Sequence, residues 1–171
     1  MRRIITGEQT EDGRIIQIRK AVKEDIPNLI KLFKETILDV YGQILPGEVL
    51  EPWVEGDRLA GDVNSLWQYM IVAEKAGDIV AAAARYEDMI ALIWVHPAYH
   101  RKGIGSALLD IVETELVQSG YRTAKLECFS DNVRAMGFYR AKGWKALCEV
   151  MDEEAGALKM VMTKALKIEC R

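Results

Sequence analysis

The sequence predicts an α/β (α+β) domain built on a mixed, mostly antiparallel twisted sheet of about six to seven strands, with helices on both faces. Three observations carry this. Apolar runs of strand length alternate with apolar residues at helical spacing, with no linker, repeat or low-complexity tract between them. Three strand-like runs follow one another across short turns between residues 69 and 95, the pattern of an antiparallel meander. The last of them leads through a glycine-containing turn and a helix into another strand, a crossover that favours parallel pairing. At 171 residues, half of them apolar, residues 1–171 form a single domain with a sizeable core.

Taken in order, residues 1–14 are polar with two glycines and predict a loose or weakly paired N-terminal segment. Residues 15–19 are rich in isoleucine and predict a first strand. Asp25 before Ile26 and Pro27 is a helix-start pattern, and Ile26, Leu29, Ile30, Phe33 and Ile37 then recur at helical spacing as one buried stripe. Pro46-Gly47 breaks the chain, and Val49, Leu50, Trp53 and Val54 fit one face of a second helix. Gly56, Gly61 and the run Asp62-Val63-Asn64-Ser65 break it again, with Trp53 and Trp67 read as core aromatics.

Residues 70–73, 79–85 and 90–95 are the meander, with turns at Ala76-Gly77-Asp78 and Glu87-Asp88. The helix that follows buries Leu108, Ile111, Val112 and Leu116 and stops at Ser119-Gly120. A strand over 123–129 precedes a helix from Asp131-Asn132 to Lys142, ended by Gly143. Residues 144–151 and 157–166 close the sheet as a hairpin, whose exposed edge could support a homodimer.

The net charge is -3 and the pI about 5.5, with no basic stripe, so nucleic-acid binding is not expected. No apolar run reaches membrane-spanning length, and the N-terminus is too briefly apolar for a signal peptide, so a cytoplasmic location and no membrane partner are expected. Cys128, Cys148 and Cys170 are odd in number and far apart, and His96 and His100 are the histidines. That is neither a metal site nor a disulfide framework; reduced thiols fit better.

Residues 93–109 read I-W-V-H-P-A-Y-H-R-K-G-I-G-S-A-L-L. An apolar strand stops at Pro97, a basic turn holds Gly103 and Gly105, and helical spacing resumes. Without Cβ atoms the backbone at 102–106 can turn its N–H groups toward one point, and the following helix aims its unpaired N–H groups and positive dipole end at the same place. This describes a pyrophosphate cradle. It is not a P-loop, because no Gly-Lys-Ser/Thr occurs, and not the dinucleotide fingerprint, because Leu108 stands where its third glycine or alanine belongs. A Gly-x-Gly turn is also compatible with an ordinary strand-to-helix connection.

A second block supplies context: Asn132-x-x-Ala135-x-x-Phe138-Tyr139, then Gly143-Trp144. The two blocks together resemble the two signatures of the GNAT superfamily of N-acetyltransferases. In that pattern a strand ending Val-x-Pro leads to Gln/Arg-x-x-Gly-x-Gly/Ala, followed later by Asn-x-x-Ala-x-x-Phe-Tyr and Gly-Phe. Val95-His96-Pro97 and His100-Arg101-Lys102-Gly103-Ile104-Gly105 match the first, with His100 where Gln or Arg is usual. Trp144 replaces the final phenylalanine of the second. The resemblance covers roughly residues 69–166.

The resemblance implies acetyl-CoA as co-substrate, no metal, and a small-molecule or peptide amine as acceptor. The cofactor-binding positions it points to are Ile93, Trp94, Val95, His100, Arg101, Lys102, Gly103, Ile104, Gly105, Ser106 and Asn132. N–H groups near Trp94 and Val95 would bind the pantetheine arm and polarise the thioester. His100 would either face solvent or make affinity depend on pH. Asn132 would contact pantetheine, and is also a good helix N-cap. Tyr139 would act as general acid toward the departing thiolate, and is otherwise a packed aromatic. Because an ammonium has no lone pair, a base is needed; Glu127 is the first candidate, with Glu87, Asp88 or a water relay as alternatives. Residues 41–67 would roof the acceptor site. A non-catalytic acyl-CoA-binding or protein-interaction domain is the alternative reading, and Cys128 as an acyl-carrying nucleophile lacks a histidine placed to activate it.

Overall fold

The computed structural model describes residues 4–9 and 15–167. In chain order the elements are β1 (Ile4–Gln9), β2 (Ile15–Lys20), α1 (Ile26–Thr36), α2 (Gly47–Val54), α3 (Arg58–Leu66), β3 (Met70–Lys75), β4 (Asp78–Tyr86) and β5 (Met89–Val95). Then come α4 (Ile104–Gln118), β6 (Thr123–Phe129), α5 (Val133–Ala141), β7 (Lys145–Asp152) and β8 (Ala157–Ala165). The strands form one sheet in the order β1-β2-β3-β4-β5-β6-β8-β7. Every pair is antiparallel except β5–β6, which the α4 crossover makes parallel.

Helices cover both faces, as the alternating pattern requires. Leu29, Leu32 and Phe33 of α1, Leu50 of α2, and Leu59 and Val63 of α3 share one core with Val72 and Ala82 of the sheet. Leu108, Leu109, Val112 and Leu116 of α4 and Met136 of α5 share the other with Ile71, Ala83 and Leu126. Central strand β4 is buried from Ile79 to Ala84, and its four consecutive alanines let helices approach both faces closely.

The structure departs from the sequence reading in three places. Residues 4–9, expected to be loose, form an edge strand against β2, whose backbone donors and acceptors would otherwise stand open; residues 1–3 and 10–14 of that segment lie outside the described residues. The buried stripe of α1 is centred on Leu29, Leu32, Phe33 and Thr36, with Ile26 and Ile30 only half-buried, because the helix faces both the sheet and α3. The run Asp62-Val63-Asn64-Ser65 does not break the chain but lies inside α3. Leu59 and Val63 bury one face there, while Asn64 and Ser65 return their side chains to the carbonyls of Ala60 and Gly61.

A buried polar knot joins β2, β3 and the start of α1. Arg19, 3% exposed, donates two hydrogen bonds to Asp25 (2.6 and 2.9 Å) and two to Glu74 (2.6 and 2.9 Å). Asp25 also accepts the Val22 N–H at 2.9 Å, so one carboxylate fixes the chain as it turns from strand to helix. Removing Asp25 takes two charge-assisted hydrogen bonds from a buried guanidinium and leaves Glu74 as its remaining carboxylate partner. Asp25→Ala is therefore expected to lower stability by about 3 kcal/mol, read as a fall in the urea midpoint at unchanged slope.

Candidate active site

The parallel pair β5–β6 is short. Met89 pairs with Lys125 and Ile90 with Leu126, and then the strands separate. Beyond that point β5 stays on β4 up to Val95, while β6 stays on β8 through Phe129. A bulge lies where they part: Arg85 pairs with Ile90 but Ala84 pairs with Leu92, leaving Ala91 as the extra residue. A bulge bends its strand and increases the local twist. It also changes which residues face which neighbour. The N–H of His96 bonds to the carbonyl of Val80 at 2.9 Å, so in this register Trp94 and Leu92 complete the ladder to β4. Ile93 and Val95 therefore turn their backbone groups into the gap. The N–H of Trp94, expected to face the ligand, is instead part of the β4–β5 ladder.

The gap opens into a cleft of about 890 Å³ that passes through the sheet and is bordered by the loop before α4. Gly103 is the N-terminal cap of α4 at φ 79°, a left-handed conformation that favours glycine. No side chain caps this helix, and its first internal bond is the Ala107 N–H to the Gly103 carbonyl at 3.0 Å. The N–H groups of Ile104, Gly105 and Ser106 are thus left at the positive end of a 15-residue helix, beside the cleft. A Cβ on Gly105 would make ordinary contact with Val95 Cγ2 at 3.6 Å and the Phe138 ring at 3.7 Å, so α4 packs here against β5 and α5 with little room beyond a methyl group. Arg101 is exposed at the cleft edge with φ 60°. Lys102 does not border the cleft; its ammonium lies 5.3 Å from the centre of the Tyr99 ring.

His100 does not simply face solvent. One ring nitrogen, Nε2, lies 2.7 Å from the Val95 carbonyl, and the other, Nδ1, lies 2.7 Å from a guanidinium nitrogen of Arg134. Tyr139, on α5 like Arg134, is buried at the cleft, its ring 5.1 Å from Phe138 and 6.0 Å from Trp144. Burial pushes its phenol well above the usual tyrosine range, with Cys128 and Tyr41 adding to the shift, so it is protonated at neutral pH. Asn132 caps α5, its Oδ1 accepting the Ala135 N–H at 3.1 Å.

The acetyltransferase (GNAT) family matches residues 32–144, well over half of the chain. The chain belongs to the GNAT acetyltransferase family. Solved structures share its fold over nearly its whole length. A GCN5-related N-acetyltransferase from Rhodopseudomonas palustris is 20% identical, covers 95% of this chain and 99% of its own, and has a TM-score of 0.74. The PaiA N-acetyltransferase of Thermoplasma acidophilum, solved in complex with coenzyme A, is 20% identical over 88% of this chain and 98% of its own, also at 0.74. The ribosomal-protein-S18-alanine N-acetyltransferase of Escherichia coli is 17% identical over 91% and 97%, at 0.66.

In this GNAT domain the cleft has two sides. Ile93, Val95, Cys128 and Tyr139 belong to the α4–α5 face, whereas Leu92, Trp94 and Phe129 belong to the face of α1–α3. Strand alternation puts Glu127 on the second face with Phe129, exposed at the cleft border. Glu87 and Asp88 sit in the β4–β5 turn, at the far end of β5 from the loop, and do not border the cleft. The sequence reading missed Arg134 and an aromatic cluster on the α1–α3 face. After α1 the helix widens into a π turn, Ile37–Tyr41, which brings Tyr41 to the cleft within 6.2 Å of Trp94 and 5.4 Å of Phe129 between ring centres. Burial raises the Tyr41 phenol to about 12, partly offset by a hydrogen bond with Trp94. Trp53, read as core, is half-buried and borders the cleft, with the Arg58 guanidinium 4.3 Å above its ring.

Cys128 is held at about 11 by burial, and its Sγ lies 3.2 Å from Met136 Sδ rather than beside a base. A thiol raised above its usual value carries little thiolate at neutral pH and gains reactivity only as pH climbs toward that value. In a Cys170→Ser background, iodoacetamide at neutral pH is expected to modify exposed Cys148 and spare Cys128, with Cys128 labelling appearing at strongly alkaline pH, as read by peptide mass spectrometry.

Proposed function

We propose that the protein is an acetyl-CoA-dependent N-acetyltransferase that moves an acetyl group directly to a primary amine. The observation that carries this reading is the meeting of the strand gap with the uncapped start of α4: donors stand unclaimed where a phosphate and an acyl oxygen would lie in line. Both the family and the coenzyme A complex of the structural relative support it. Bound acetyl-CoA would supply an activated acyl group as a thioester.

The residues present fit that cofactor. The N–H groups of Ile104, Gly105 and Ser106 take its pyrophosphate, with Gly103 providing the turn. The backbone of Ile93 and Val95 pairs with the pantetheine arm like a missing strand, and an N–H there donates to the acyl oxygen as it gains charge. The amide nitrogen of Asn132 remains for the arm, since its oxygen is engaged in the helix cap. Tyr139, protonated, donates toward the departing sulfur. Glu127, on the α1–α3 face, accepts the proton of the incoming ammonium directly or through water. The acceptor enters on that face, between Tyr41, Trp94 and Phe129.

Calorimetric titration with acetyl-CoA tests the cofactor, and release of free thiol on adding amines tests the transfer. Folded protein that binds neither acetyl-CoA nor CoA would overturn the proposal. Ser106→Glu places a carboxylate in the first turn of α4, where it suits the helix dipole and opposes a phosphate. It is expected to leave thermal stability unchanged or raised while weakening CoA at least tenfold. Tyr139→Phe is expected to lower kcat about 10²-fold with little change in CoA affinity, measured by steady-state kinetics alongside calorimetry.

A further inference from the structure

We propose that Arg134 is a phosphate-binding residue for the cofactor and that His100 positions it; this rests on the acetyl-CoA reading above. Arg134 lies in the first turn of α5, two residues after the cap Asn132, where the helix dipole disfavours a cation. It is exposed at the border of the cleft that the free N–H groups of α4 also face. Among the described residues no carboxylate forms an ion pair with it. Its hydrogen-bond partner is the His100 imidazole, 2.7 Å away. A cation kept at the unfavourable end of a helix, held by an uncharged ring and beside an anion cradle, is arranged for a ligand rather than for the fold.

The tautomer of His100 follows from its two partners. A carbonyl only accepts and a guanidinium only donates, so the proton sits on Nε2, bonded to Val95, and Nδ1 accepts from Arg134. The ring is thus a spacer between the end of β5 and the start of α5. It consumes one of the five N–H donors of Arg134 and leaves four for an anion. It also holds the Val95 carbonyl, so that the N–H of the same residue is what remains for the gap. The ligand group is a phosphate of the CoA nucleotide end, either in the pyrophosphate or on the ribose.

The test is calorimetry with CoA and with dephospho-CoA, which lacks the ribose 3′-phosphate, on the wild-type protein and four variants. Losing one charge-assisted phosphate contact, Arg134→Gln is expected to weaken CoA roughly tenfold and to flatten the salt dependence of binding. His100→Ala frees Arg134 and weakens CoA in the same direction. His100→Gln restores the affinity, because its amide donates to Val95 and accepts from Arg134 as the imidazole does. The double variant His100→Ala/Arg134→Gln is no weaker than Arg134→Gln alone, since His100 acts through Arg134. If dephospho-CoA binds wild type as weakly as CoA binds Arg134→Gln, the partner is the ribose phosphate; if Arg134→Gln weakens both ligands equally, it is the pyrophosphate. Unchanged CoA affinity in folded Arg134→Gln overturns the inference and leaves the acetyl-CoA reading intact. So does a His100→Gln variant as weak as His100→Ala, for the positioning role. A wild-type protein that binds no CoA overturns both.

Discussion

A β-strand has two edges, and both must be hydrogen-bonded unless water or a ligand takes the place of a neighbour. In this domain β5 keeps β4 on one edge throughout and loses β6 on the other after Ile90. The extra residue Ala91 sits at that point, and it both turns the strand away and reverses which backbone groups look outward. The cleft, the two sides of the site and the exposed donors of Ile93 and Val95 all follow from that one residue out of register. The strands on either side of the gap are held firmly on their other edges, which is what allows a defect of this size to persist: β4 is buried throughout its centre, and β6 is locked to β8 along its full length.

The two helices that reach the cleft by their N-termini are finished differently, and the difference assigns their roles. At α5 the cap is internal, with Asn132 accepting the Ala135 N–H, so the first turn satisfies itself. At α4 the cap residue is Gly103, which contributes no side chain, and the first N–H groups face the cleft. An anion at α4 completes that helix; an anion at the cap of α5 would compete with Asn132. The positive charge contributed by α5 comes instead from the Arg134 side chain. The α4 end is held in place by ordinary packing, with Ile104 buried at 2% exposure and Gly105 beside Val95 and Phe138.

The glycine loop, the crossover and the second block were legible because each is written in consecutive residues: a φ-positive glycine, a strand of β-branched residues, an asparagine before a helix. The β6 boundaries, residues 123–129, coincide with the alternation read from sequence. What escaped was written across the chain. Ala91 carries no local mark of a bulge, since its role depends on the register against Ala84 and Arg85. His100 and Arg134 are 34 positions apart and meet only because the end of β5 and the start of α5 lie side by side. Residues 62–65 looked like a break because polar side chains usually end helices, whereas here Leu59 and Val63 pack into the core and outweigh that preference.

In the proposed reaction the acceptor side would obey different physics from the cofactor side. On the α4–α5 face, recognition would fall mainly to the backbone donors of β5 and α4, whose chemistry does not depend on residue identity, with Arg134, held by His100, adding charge. On the α1–α3 face it would fall to side chains: the Tyr41, Trp94 and Phe129 rings, with Glu127 at the same cleft border. The helices that wall this side are joined to the β7–β8 turn through Arg58 and Glu154, while Asp152 is engaged by Lys159 at 2.5 Å. The exposed Arg58–Glu154 pair contributes little to stability, yet the two pairs neutralise four of the charges around the entrance. In the proposed reaction the carboxylate of Glu127 would then meet an arriving ammonium beside apolar rings rather than among competing cations. Aromatic faces attract a cation without removing its proton, and a neighbouring carboxylate can remove it. An acceptor would thus be drawn in charged and made neutral only at the gap, where the acyl group lies.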